Sequence, residues 1–308
     1  MEPTERKIVL VAGGTGLIGS WLVPFLVSNG YRVKVLTRNP SKGFSADSNV
    51  EFIYWSGKTD KSLVELVGRS EVLINLAGYS IASLWTERNK RMIVESRIQS
   101  TRALAQAVTN SLHPPKVLVQ ASAVGIYPFN TNVIQTENSP SGKGFLSDLV
   151  REWENEALVA ANSSRVLLIR TGVVLASNGG LLTKTAPPIR YLGGVTLGKG
   201  YNIVPWIHIF DHVRAIKFLI ETPTAVGAFN ITSPAINIHA DLVKQIAAFY
   251  KRPMLFSIPS FLLLLLPGNM ANELLLASQP VQPQRLLQLG FTWTYPTLEK
   301  ALANLLGK

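Results

Sequence analysis

Through the first half of the chain, short β-branched and aliphatic runs alternate with stretches whose apolar residues recur at spacings of three and four. The first pattern predicts strands at 7–12, 32–36, 50–55, 72–76, 116–120 and 165–170, and the second predicts helices at 16–28, 89–110 and 144–161. Strands alternating with helices imply successive βα units, hence a parallel sheet covered on both faces; six strands suffice for one doubly wound layer. After Leu175, glycines at 179, 180, 193, 194, 198 and 200 interrupt the pattern, and helical periodicity returns at 211–221, 240–250 and 298–306. Asp211 stands where the first of these later helices would be capped. The expected organisation is an α/β unit over residues 1–175 and a smaller lobe over 176–308, part of which returns to the first unit.

Length and composition bound what this architecture can do. With 308 residues, 47% of them hydrophobic and 16% charged, the chain can bury a substantial core. No cysteine is present, which removes disulfides, iron–sulfur clusters and thiolate zinc sites, and the first residues carry no signal-peptide core, so the cytoplasm is the expected location. The formal net charge of +11 suits an anionic ligand or surface. The cations are scattered, however, without the basic and aromatic interleaving of an RNA platform, so nucleic acid is not an expected partner. Residues 253–272 carry no charge, and they include the run FLLLLL. Pro259, Pro267 and Gly268 divide that stretch, which therefore fits a buried helix or a subunit contact better than a transmembrane span; a homodimer stays open, as does attachment to a membrane surface.

Candidate chemistry begins at the first strand-to-helix junction, where Gly13, Gly16 and Gly19 stand three apart in GGTGLIG with Thr15, Leu17 and Ile18 between them. Gly13 permits a tight turn, Gly16 lets backbone N–H groups approach a pyrophosphate, and Gly19 lets the helix pack against the strand. The helix N-terminus adds partial positive charge. An NAD-binding chain would carry Asp or Glu at the end of the second strand; here that strand ends Leu36-Thr37-Arg38, and no carboxylate appears before Asp47. Arg38 can pair with a 2′-phosphate and Thr37 can add a hydrogen bond, which favours NADP(H). Leu76-Ala77-Gly78 after the fourth strand lets backbone lie against the ribose or adenine. Arg97, on the long helix, offers a further phosphate or ribose contact or forms that helix's wetted face. His208 and His212 suit a metal only if both share one helix face, and a structural role fits His208 better.

These motifs, with Asn75 opening NLAG, Ser96-Arg97 and Thr101, SAVGIY from Ser122 to Tyr127, Trp153-Glu154, RTGVVL from Arg170, WIHI from Trp206 and Arg252-Pro253, resemble the short-chain dehydrogenase/reductase superfamily in its extended, epimerase-like form. The narrower resemblance is to its atypical epimerase family protein branch, described as NADP-dependent oxidoreductases and in places as cell-division inhibitor-like, and it runs over nearly the whole chain. It implies a Rossmann doubly wound parallel sheet binding NADP(H), with Thr37, Arg38, Leu76, Ala77, Arg97 and Val174 lining the cofactor, and a smaller C-terminal α+β substrate lobe.

Active relatives pair a Ser or Thr after the fifth strand with Tyr-x-x-x-Lys on the next helix, the lysine lowering the tyrosine pKa. Ser122 supplies the first member, but residues 144–154 contain no Tyr followed four later by Lys; the one such spacing, Tyr54 to Lys58, lies by the third strand. Tyr127 is the nearest replacement proton donor, or else a residue that packs against and bonds the substrate. The expected function is an NADP(H)-dependent oxidoreductase or epimerase acting on an unidentified small carbonyl or sugar-like substrate through Ser122 and Tyr127; the alternative is a non-catalytic, NADP(H)-bound regulator or scaffold, for instance of division.

Overall fold

The computed structural model describes residues 7–42 and 47–307. Seven parallel strands form the central sheet: β1 (Ile8–Ala12), β2 (Arg32–Thr37), β3 (Val50–Tyr54), β4 (Val72–Asn75), β5 (Val117–Ala123), β6 (Arg165–Thr171) and, much later in the chain, β10 (Gly227–Ile231). Their spatial order is β10-β6-β5-β4-β1-β2-β3, so the winding reverses between β1 and β4. This is the doubly wound Rossmann arrangement the pattern predicts, with one strand more than the six expected. The seventh, GAFNI, is short and weakly alternating, and only its pairing to β6 identifies it.

Side chains of successive strand residues point to opposite faces, and both faces are dry. Val9, Val11, Val33, Val35 and Ile74 pack toward α1 (Gly19–Ser28) and α6 (Ile209–Glu221). Leu10, Ala12, Leu36, Leu73 and Leu118 pack with residues of α2 (Lys61–Gly68) and α3 (Glu87–Thr109), while α4 (Phe145–Leu158) completes that side. Asp60 begins α2 by accepting a hydrogen bond from Leu63 N at 2.8 Å, and Thr86 begins α3 by accepting one from Asn89 N at 3.3 Å.

After β6 the chain makes β7 (Val173–Ala176), α5 (Gly180–Tyr191), β8 (Gly194–Leu197) and β9 (Trp206–His208); α6 and β10 then lead to α7 (His239–Phe249), β11 (Met254–Ile258) and α8 (Ser260–Leu263). Two short helices, α9 (Gln284–Gln288) and α10 (Leu298–Leu306), close it. β7 pairs with β9 and β8 with β11, and α5 occupies part of the glycine-interrupted stretch that showed no clear periodicity. One apolar cluster holds Val9 and Leu22 together with Val243 and Leu302, so residues from both halves share a core.

Two expectations are corrected. The 253–272 stretch is not a buried helix: Met254–Ile258 is a largely exposed strand, and Phe261, Leu264 and Leu265 lie open to solvent. Among the described residues no helix is long and apolar enough to cross a membrane. The cap of α6 is His208, whose Nδ1 accepts a hydrogen bond from Phe210 N at 3.0 Å, and not Asp211, which is buried one turn inside and accepts bonds from Thr294 N and Tyr295 N. The His208 ring also stacks on Tyr295 at 3.9 Å, while His212 reaches Thr171 Oγ1, so the two histidines serve different neighbours.

Burial of His212 pulls its pKa down to about 3. Between that value and the ordinary one near ~6.5, the unfolded chain binds a proton that the folded chain refuses, so stability falls as pH falls. Urea unfolding should show a loss of about 2 kcal/mol from this group between pH 6.5 and pH 5, superposed on other titrations. The check is His212→Gln, which should flatten the pH dependence in that window; an unchanged slope would assign it to other groups.

Candidate active site

The sheet reverses direction between β1 and β4, and ligands of open α/β sheets bind beyond the carboxyl ends of strands at such a point. Gly13 turns the chain there with φ +79°; a Cβ on it would lie 2.6 Å from the Leu76 carbonyl carbon and 2.8 Å from Ala77 N. The glycine loop and the end of β4 therefore touch backbone to backbone. A Cβ on Gly19 would sit 2.4 Å from the Gly13 oxygen, so this glycine lets the helix close onto the turn. Gly16 differs, because a Cβ there would meet only Gly13 O at 3.3 Å and would otherwise face the open side of the loop. Thr15 is exposed, and Leu17 and Ile18 are half-buried. Regular α1 starts at Gly19, three residues later than predicted, although Ser20 N already donates to Gly16 O at 2.9 Å.

At the end of β2, Thr37 is half-buried, its Oγ1 accepting a hydrogen bond from Asn39 N at 3.2 Å, and Arg38 is exposed with no ion pair to a described residue. At the end of β4, buried Asn75 donates to Thr101 Oγ1 and Gln120 Oε1, and its own oxygen accepts from Ala77 N. This ties Leu76, Ala77 and exposed Gly78 to the sheet beneath. Arg97 is not a wetted surface residue: it donates to the carbonyls of Tyr79 and Ile93, lies 5.1 Å over the Trp153 ring, and burial pulls its pKa down to about 10. Its neighbour Ser96 accepts from Tyr79 N, so both residues clamp the loop after β4, and the Arg97 guanidinium borders Gly78. Half-buried Val174 on β7 adjoins the same crevice, since the turn after β7 packs on Leu17 through Gly179 and Gly180 and its Asn178 accepts from Trp21 Nε1 at 2.9 Å.

Ser122 and Tyr127 occupy the next strand end, and their hydroxyls point inward. Ser122 Oγ donates to Glu154 Oε1 at 2.5 Å; Glu154 in turn holds Arg170 by two parallel bonds of 2.8 Å, Nε to Oε1 and Nη2 to Oε2. Arg170 Nη1 donates to Tyr127 Oη at 2.8 Å, and that hydroxyl donates to Asn230 Oδ1 at 2.7 Å. All five side chains are buried.

The 9–232 region matches the model of the NAD dependent epimerase/dehydratase family. The chain belongs to that family. A domain of unknown function, DUF1731, matches 258–305. Similar proteins include the epimerase family protein SH2119 of Staphylococcus haemolyticus, 36% identical over 97% of this chain and 99% of the relative. Another is the Arabidopsis thaliana protein described as a chloroplastic SDR39U1 homolog, 35% identical over 98% of this chain and 87% of its own. Human SDR39U1, whose crystal structure contains NADPH, superposes with a TM-score of 0.85 at 29% identity, covering 98% of this chain and 99% of that one.

Within this epimerase-family fold, the sequence-predicted residues separate into two groups. Gly13, Thr15, Gly16, Leu17, Ile18, Gly19, Thr37, Arg38, Leu76, Ala77, Gly78, Arg97 and Val174 gather around the crevice at the β1/β4 reversal or directly support its walls. Ser122 and Tyr127 form the other group: their hydroxyls, expected to act on a substrate, are bonded to buried Glu154, Arg170 and Asn230. Burial pushes the Tyr127 phenol up to about 12, with nearby Glu137 adding to the effect and the Arg170 charge opposing it. Burial alone would lower the Arg170 guanidinium, but the Glu154 hydrogen bonds and charge outweigh it and hold the group above its ordinary value. A phenol in that state is a weaker acid than a free tyrosine and already spends its proton on Asn230.

Residue patterns had singled out neither Asn230 nor Glu137, whose carboxylate accepts from Asn230 N and Arg285 N. The carboxylate of Glu273 was missed as well: from the C-terminal segment it accepts from Leu146 N at 3.0 Å in the first turn of α4. A charged residue inside an apolar strand, as in LLIRT around Arg170, was the available signal that a buried counter-charge must exist.

Removing one partner of the buried pair should be severe. Glu154→Gln is expected to cost about 3 to 5 kcal/mol in urea unfolding because it strands Arg170. Tyr127→Phe, which leaves both Asn230 and Arg170 short of one partner, should cost about 1 to 3 kcal/mol. Near-wild-type midpoints for both would remove the structural role assigned to this network.

Proposed function

We propose that this chain binds NADP(H) along the β1/β4 crevice and acts as an oxidoreductase or epimerase on a small carbonyl or sugar-like substrate received by the C-terminal half. The observation that carries the cofactor reading is Arg38: an exposed guanidinium at the carboxyl end of β2, without an ion pair among the described residues, where an NAD-preferring site would hold a carboxylate. The glycine cradle fits a pyrophosphate, since the Cβ-free side of Gly16 is open while Gly13 and Gly19 are closed by backbone. Similarity to human SDR39U1, solved with NADPH, supports the same choice.

In this reading the N–H groups from Gly14 to Ile18 and the α1 dipole hold the pyrophosphate, Arg38 and Thr37 hold the 2′-phosphate, and backbone at Leu76 to Gly78 bounds the ribose side. Val174 and the Asn178 turn close the crevice from the second half. When bound, the nicotinamide supplies or accepts a hydride. Ser122 and Tyr127 support the floor of the site through Glu154 and Arg170, and the proton for a reduced carbonyl comes from another group or from water.

A second reading, cofactor binding without turnover, is favoured by one observation: both hydroxyls at the usual acid/base position are committed to internal partners. Single-turnover NADPH oxidation against a panel of aldehydes, ketones and nucleotide sugars separates the two. Turnover on any of them supports the enzyme, and silence across the panel with bound NADPH supports the second reading.

For the cofactor site, Arg38→Ala should weaken NADPH by about 1.5 to 3 kcal/mol and leave NADH nearly unchanged, as calorimetric titration would record. Equal losses for both dinucleotides would mean that Arg38 does not read the 2′-phosphate. Gly16→Val should remain folded by circular dichroism, because its Cβ would meet only the Gly13 oxygen, at 3.3 Å, which a small shift of the loop relieves, yet lose dinucleotide binding because the side chain fills the phosphate position. Normal affinity in the folded variant would relocate the phosphate site.

A further inference from the structure

We propose that the face built by α5's last residues, β11 and α8 is a docking surface for an anionic lipid bilayer. Large apolar side chains are concentrated there: Tyr191 is 70% exposed, Leu192 73%, Phe256 64%, Phe261 65% and Leu265 80%. They form one face, because β11 pairs with β8 directly after Leu192, the Leu255 side chain covers Gly193, and Ser260 at the start of α8 lies against Gly198. An apolar concentration of this kind marks a contact surface and is not the ordinary scatter of exposed leucines.

Charge decides the occupant. Residues 180–204 and 250–270, which build this face and its borders, contain Lys184, Arg190, Lys199, Lys251 and Arg252 and no Asp or Glu. All five cations are exposed. Arg252 Nε is bonded to the Arg190 carbonyl at 2.8 Å, which holds two of the guanidinium-bearing residues side by side at the border, and the Arg190 guanidinium lies 5.8 Å over both the Tyr191 and Tyr250 rings. A second copy of the chain would bring the same cations and no counter-charge, whereas acidic headgroups supply the counter-charge and acyl chains receive the phenylalanines and leucines. Aromatic and aliphatic residues in the middle with Lys and Arg around them match the requirements for lying in a bilayer interface at a depth of about 5 to 10 Å. None of the residues named on this face is among those placed at the β1/β4 reversal, so this assignment does not rest on the cofactor reading.

The test is co-sedimentation of the full chain with phosphatidylcholine vesicles containing about one-third phosphatidylserine, beside vesicles of phosphatidylcholine alone, at low and moderate salt. The chain should bind the acidic vesicles, release with salt and ignore the neutral ones. Phe261→Glu with Leu265→Glu should abolish binding, and Lys199→Gln and Lys251→Gln should each weaken it roughly fivefold. Circular dichroism of each variant verifies the fold, and light scattering of wild type gives its mass. Failure to bind acidic vesicles at low salt overturns the proposal, as does undiminished binding by the double variant. A wild-type dimer that the double variant converts to monomer would assign the face to a second copy and also overturn it.

Discussion

The bidentate contact between Glu154 and Arg170 joins three layers of the molecule at the sheet's carboxyl edge. Two charges buried this deeply cost several kcal/mol each to dehydrate, and their attraction offsets that cost only with good geometry and with the remaining hydrogen-bonding capacity filled. Ser122 from β5, Tyr127 after it, Asn230 from β10 and the carbonyl of Glu137 supply the filling. The pair therefore imposes conditions on its surroundings: α4 must sit over β5 and β6, and β10 must return to the sheet beside β6. A single unpaired member would leave a buried charge with no water to solvate it.

From that constraint the rest of the site takes its form. With α4 held, Trp153 lies where its Nε1 donates to Thr101 and its ring receives Arg97, and these residues anchor the loop after β4. The loop then meets Gly13 at backbone contact, which only glycine permits. A polar network in the floor and a glycine turn in the wall thus make one crevice, although they lie more than a hundred residues apart in the chain. Ser122 and Tyr127 belong to the floor. Their hydroxyls help to satisfy the Glu154–Arg170 ion pair.

Among the described residues, charged side chains take part in fastening the C-terminal segment. Glu273 accepts from Leu146 N at the beginning of α4, Arg285 donates to the Val226 and Ala228 carbonyls while lying 4.1 Å over the Phe229 ring, and Asp211 receives the backbone of Thr294 and Tyr295. Each joins a carboxylate or guanidinium to main-chain groups left over at an element's end, which a segment of irregular backbone must satisfy somehow. Near them β11 and α8 stand outward, and most of their apolar side chains lie open to solvent.

Local rules made much of this legible. Parallel-sheet strands buried on both faces read as apolar runs, the glycine spacing reads as a turn and a close approach, and Arg38 in place of a carboxylate reads as a phosphate partner, because each depends on residues near one another in the chain. The direction of a side chain at a strand end does not. The partners of the Ser122 and Tyr127 hydroxyls include Glu154 and Asn230, which come from α4 and β10, and a one-dimensional pattern carries no record of which strand a distant segment will join. The 253–272 stretch gives the same lesson in reverse. Its hydrophobicity suggested burial, but burial needs a facing surface, and the packing of the lobe leaves β11 and α8 without one. Composition and spacing determine what a segment can bury or bind; only the assembled neighbours determine what it meets, because burial and pairing are properties of two surfaces and a sequence displays one at a time.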